Sequence, residues 1–75
     1  AATIDTSDSL IWYNRGVALT QLEKYDDALS SYEKAIEVSP GYADAWYNKA
    51  ELLKHKGQDA EAETCFIKVK ELEGE

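Results

Sequence analysis

A single cysteine, Cys65, in 75 residues rules out an internal disulfide, so packing alone must hold the chain together. Such sparing use of cysteine fits a reducing compartment, and the expected location is cytoplasmic. Proline occurs once, at Pro40, and glycine four times, so little interrupts helix. Runs of β-branched residues that would favour strands are missing. No apolar stretch approaches the roughly 18 residues needed to cross a bilayer. The N-terminus lacks the basic start and apolar run of a signal peptide. Basic groups are scarce as well: 8 Lys and Arg stand against 15 Asp and Glu, a formal net charge of −7. Residues 1–42 hold three basic and seven acidic groups, and residues 43–75 hold five and eight, so the acidity is spread and is not a tail. A field of that sign repels nucleic acid and anionic lipid, and neither a nucleic-acid nor a membrane partner is expected.

What is present is a core and a period. The hydrophobic fraction is 44%, and two Trp, five Tyr and one Phe supply bulk enough for one small packed domain. Trp12-Tyr13-Asn14 returns as Trp46-Tyr47-Asn48, an offset of 34 residues. The same offset relates Leu19 to Leu53, Ala28 to Ala62, Tyr32 to Phe66, Lys34 to Lys68 and Glu37 to Glu71. Gly16 and Ala50, Ala35 and Val69, and Val38 and Leu72 match by size. Self-similarity at one fixed period marks stacked repeats. The units are residues 9–42 and 43–75, preceded by a small, polar, flexible lead-in over residues 1–8.

Each unit reads as two helices. The first spans about residues 9–22, with Trp12, Gly16, Leu19 and Leu22 at helical spacing and Ile11 and Ala18 beside them. Ser7, Asp8 and Ser9 are candidate caps for it. Gly16 costs that helix about 1 kcal/mol against alanine, and the expected compensation is close approach of another helix, with no side chain to hold the backbones apart. After a turn at Glu23-Lys24-Tyr25, a second helix covers 26–38, with Ala28, Leu29, Tyr32, Ala35 and Ile36 as its stripe, and Ser39-Pro40-Gly41 stops it. A third covers 43–56, with Ala45, Trp46, Ala50, Leu52 and Leu53 inward, and Gly57 reads as its left-handed cap. Asp59 is the expected cap of a fourth helix over 60–73, with Ala62, Cys65, Phe66, Val69 and Leu72 inward, and Gly74 and Glu75 fray. Short turns between helices of this length force an all-α antiparallel arrangement.

These residues resemble the tetratricopeptide repeat, whose pattern is W-x2-L-G-x2-Y, then A-x3-F, then P over 34 positions. Here the first unit has Trp12-x2-Arg15-Gly16-x2-Leu19, Ala28-x3-Tyr32 and Pro40, and the second Trp46-x2-Lys49-Ala50-x2-Leu53 and Ala62-x3-Phe66. Arg15 and Lys49 depart from the family's leucine, and Gly74 stands where it has proline. The resemblance implies two helix-turn-helix units stacked as a short right-handed solenoid. Leu29 and Ile36 should then join the units, while Glu63 and Lys70, at the same places in the second unit, make a charged face suited to a terminal repeat.

The resemblance also implies a non-enzymatic module that binds protein or peptide on the surface formed by the first helix of each unit. The residues there are Tyr13, Asn14, Val17, Tyr47, Asn48 and Glu51. Two uses remain open for the Tyr-Asn pairs: contact with a peptide, or packing between the helices. Some relatives clamp acidic C-terminal tails with lysine, arginine and asparagine. Only Asn14 and Asn48 match that set, so neutral or basic segments are favoured. A second reading is a structural or self-associating end piece of a longer array, since Ile11, Leu22 and Ile67 fall on uncovered faces and could support a weak two-fold homodimer. No catalytic residue, cofactor or metal is expected. His55 and Cys65 lie on different helices with no further ligands, no nucleophile has a base, and no phosphate loop occurs. Trp12 and Trp46 read as core anchors.

Overall fold

The computed structural model describes residues 7–74; residues 1–6 of the lead-in expected over residues 1–8, and the terminal Glu75, lie outside them, while Ser7 and Asp8 are helical and not lead-in. Four helices follow in order: α1, Ser7–Gln21; α2, Tyr25–Val38; α3, Ala43–His55; and α4, Asp59–Leu72. No strand occurs among the described residues. Helix α1 starts two residues earlier than expected, and Tyr25, read as part of a turn, is the first residue of α2.

Inside the first hairpin, Ser9 meets Ser39 and Gly16 meets Tyr32, so numbers rise along α1 as they fall along α2. That is the mark of antiparallel packing. The approach at Gly16 is close. A β-carbon there would lie 2.6–2.9 Å from the Tyr32 ring, so only glycine lets the ring seat. The helix-propensity cost of this glycine is offset by the buried aromatic contact it admits. Ser9 has a different task from the capping role expected of it. Its hydroxyl is fully buried and donates to the Ser39 hydroxyl at 2.6 Å, joining the start of α1 to the end of α2. A buried hydroxyl needs such a partner.

Two apolar clusters make the core. One gathers Ala50, Leu53, Ala62 and Cys65 of the second hairpin with Trp46 and Phe66 packed against them. The other gathers Ala28, Tyr32 and Leu52 under Tyr13, Val17, Leu19 and Tyr25. Leu29 packs on both, as expected of a residue that joins the units. Two ion pairs flank it across α2 and α3, Lys49 with Glu33 at 3.6 Å and Lys56 with Asp26. Trp46 is also fixed by its indole N–H, which donates to the Pro40 carbonyl at 2.8 Å. Ala18, expected beside the inward set, is exposed; no helix covers that flank of α1 within residues 7–74.

Helix α3 ends as its glycine predicts. Gly57 has φ +86°, its N–H bonds the Lys54 carbonyl at 3.0 Å, and the Gln58 N–H reaches back to Leu53 at 2.8 Å. Both bonds of a Schellman motif are present. Helix α1 ends in the same way, yet the left-handed residue is Glu23, at φ +62°, with Glu23 N–H to Thr20 and Lys24 N–H to Leu19 both at 2.9 Å. Gly74 does not fray: at φ +80° it closes α4 with a bond to Glu71 at 3.2 Å. The expected Asp59 cap is not formed. Asp59 is the first residue of α4, and Gln58 precedes it without a side-chain cap.

Candidate peptide groove

Helices α1 and α3 lie side by side with α2 behind them, and a shallow groove runs between them. Its volume is about 390 Å³. Val17 comes from one wall, Tyr47, Asn48 and Glu51 from the other, and Tyr25 and Tyr32 of α2 contribute behind. Four of the six residues expected to bind thus line one space. Tyr13 belongs to its framework: its ring lies 5.8 Å from Tyr32 and 5.2 Å from Tyr42, centroid to centroid, and its hydroxyl accepts a 2.9 Å hydrogen bond from Asn48 Nδ2. Asn14 is exposed and stands off the groove.

The two Tyr-Asn pairs therefore divide. Tyr13 and Asn48 bond across the joint between hairpins, which is the packing use. Tyr47 is half-exposed, meets Phe66 edge to face with ring centroids 5.7 Å apart, and lines the groove. Thr20 bonds back to the Gly16 carbonyl at 2.8 Å and lies 3.4 Å from the Tyr32 hydroxyl, so the groove wall on α1 is fixed by side chains as well as backbone. Burial raises the Tyr32 phenol above its ordinary range and does the same to Tyr42, so both remain neutral donors well past neutrality.

Gln21 and His55 also line the groove and were not expected there. They lie one helical turn beyond Val17 and Glu51, so continuing each stripe by four residues finds them. His55 stacks on Tyr25 at 4.6 Å. No lysine or arginine lines the groove, and Glu51 is its only acid. Chemically the surface offers aromatic faces, phenol and amide hydrogen-bonding groups and one carboxylate. Among the described residues no set of three or more His, Cys, Asp or Glu side chains converges as a metal site. Burial raises the Cys65 thiol above its ordinary value, which disfavours the thiolate. No helix of residues 7–74 is long and apolar enough to cross a membrane.

Comparison with known proteins agrees with the architecture. A family profile described as tetratricopeptide repeat matches residues 9–42, and a second of the same description matches residues 31–64. An uncharacterised protein of Methanocaldococcus jannaschii is 40% identical over 57 residues, covering 76% of this chain and 66% of that protein. A STIP1 homologue of Dictyostelium discoideum is 33% identical over 63 residues, 84% of this chain and 11% of that protein. A tetratricopeptide repeat and J domain-containing co-chaperone of Cryptococcus neoformans is 27% identical over 63 residues, 84% of this chain and 12% of that protein. The chain thus spans about two thirds of the first relative and a small part of the other two.

Proposed function

The chain belongs to the tetratricopeptide repeat family, a family of protein-interaction modules, and from that premise we propose that it holds an extended peptide segment in the groove between α1 and α3. The observation that carries the reading is the groove lining. Aromatic rings from Tyr25, Tyr32 and Tyr47 line one space with the Glu51 carboxylate and the His55 imidazole, and no lysine or arginine is among them. Such a surface suits a neutral or basic segment with an aromatic or aliphatic anchor, and a lysine or arginine can rest on a tyrosine face beside Glu51. An acidic tail finds no lysine or arginine in the groove and meets a net charge of −7. The co-chaperone relative of Cryptococcus neoformans supports a protein partner for this chain as well.

Titration of the isotope-labelled chain by NMR tests this, using a basic, hydrophobic peptide and a peptide ending in acidic residues. The basic peptide should shift Val17, Tyr47 and Glu51 with a dissociation constant no tighter than about micromolar, given the small area two repeats can offer. Tighter binding of the acidic peptide at the same residues would overturn the proposal.

A further inference from the structure

The two ends of the molecule can be compared with its own internal joint, because an offset of 34 residues maps every position of that joint onto an end face. At the joint, α2 packs on α3. Shifted by one period, the α2 side becomes the outer face of α4, and the α3 side becomes the outer face of α1. We infer that these two faces fit each other, so that copies of the chain stack head to tail, the α4 face of one on the α1 face of the next.

The match is made pair by pair. Across the joint Asn48 donates to the Tyr13 hydroxyl at 2.9 Å. One period on, Asn14 of one copy meets Tyr47 of the other, the same two residue types in the same places, and both are exposed. Lys56 pairs with Asp26 at the joint. Their counterparts are Leu22 and Ala60, so an ion pair is replaced on both sides at once by an apolar pair, and Leu22 is 66% exposed. Leu29 fills the joint among Leu53 and Cys65. Its counterpart is Glu63, and the matching hollow on the first hairpin is a cavity of about 330 Å³ lined by Trp12, Arg15, Leu19, Asp27 and Ser31. Where the incoming residue changes from leucine to glutamate, the receiving wall carries a serine hydroxyl in place of the thiol, beside the Arg15 guanidinium. Three junctions have thus changed or stayed constant together on faces that do not touch within one molecule, while the Lys49–Glu33 pair of the joint becomes Arg15 and Ile67 and leaves Arg15 for Glu63 to answer.

Such a contact uses two different patches, so it propagates and does not close. Asp27 beside Arg15 and the acidity of each copy keep it weak, in the range of about 0.1–1 mM. The charged face of α4 is then a matched face and not merely a solvated one.

Sedimentation velocity at rising concentration tests the inference, with Leu22→Asp and Ile67→Arg as face-specific variants at exposed positions; the second sets a cation against Arg15, which stands where the joint has Lys49. Circular dichroism confirms that each is folded. The wild-type chain should grow in mass with concentration, and each variant alone should remain monomeric. An equal mixture of the two should give a one-to-one heterodimer, because each retains the face the other has lost. Glu63→Arg should weaken wild-type association by about tenfold, and adding Arg15→Glu in the same chain should restore it. A wild-type monomer at about 1 mM overturns the inference. So does self-association of either variant alone, which signals a two-fold contact, or failure of the mixture to pair. Failure of the double charge reversal to restore association overturns the proposed register.

Discussion

Ile11 and Ala45 occupy one place in two copies of the same hairpin, yet Ile11 is 62% exposed and Ala45 is fully buried. Ala18 is exposed and its counterpart Leu52 is buried; half-buried Leu19 answers to buried Leu53. The larger side chain is not consistently the buried one. What differs is the neighbour: α3 has α2 and α1 against the flank that α1 leaves open. Position in the stack decides burial before residue type does, and the same motif is a core in one hairpin and a face in the other.

The largest test of that difference is at the two tryptophans. Trp46 packs on the second cluster and bonds Pro40, so Trp46→Ala should cost about 3–5 kcal/mol, enough to unfold so small a domain. Trp12 lines an open hollow, and Trp12→Ala should cost only about 1–2 kcal/mol. Urea denaturation measures both, and equal losses would break the comparison. Next in size is Gly16→Ala, which places a methyl against the Tyr32 ring. Overpacking costs about 1–3 kcal/mol, less roughly 1 kcal/mol returned by helix propensity. A chain stabilised by the change would show that Tyr32 can move aside.

The caps offer a smaller and sharper contrast. Glu23 and Gly57 serve the same left-handed position. Glu23→Gly should raise stability by about 1 kcal/mol, and Gly57→Ala should lower it by a similar amount, with nothing near that glycine to confuse the result. Thermal melting of both variants reads the pair, and like signs would refute the backbone account.

The smallest effect is at Cys65, whose counterpart Ser31 is equally buried. Burial raises the thiol above its ordinary value of 9.0, so the unfolded chain releases that proton first. Stability from this residue is therefore complete below pH 9.0 and declines as pH rises past it. Tyr32 and Tyr42, also raised by burial, add a similar decline only above their ordinary 10.0. Denaturation between those two pH values should show a slope that Cys65→Ser removes, and an unchanged slope would assign it elsewhere.

The period of 34 made the helices legible, because Trp12 and Trp46 fix a register shared by Leu19 and Leu53, Ala28 and Ala62, and Tyr32 and Phe66. Gly57 announced its cap through its missing side chain. Glu23 gave no such signal, since a glutamate in a left-handed conformation is held there by the bonds around it and not by preference. Ser9 looked like a cap because serine near a helix start usually is one. Its true partner lies 30 residues away, beyond the reach of local pattern. Of the groove, Val17, Tyr47, Asn48 and Glu51 were legible from the stripe on the first helix of each unit. Tyr25 and Tyr32 were not, because only folding brings α2 behind α1 and α3.

Leu29, packed on both clusters, also sets an order in time. Each hairpin closes over three linking residues, and local contacts of that kind form quickly. Neither hairpin alone has a groove, since one wall is α1 and the other α3. The groove exists only once Leu29 has docked α2 onto α3, so the surface offered to a partner is the last part of the molecule to be made and the first to be lost. Stopped-flow refolding should show binding competence lagging helix formation, and Leu29→Ala should lengthen that lag.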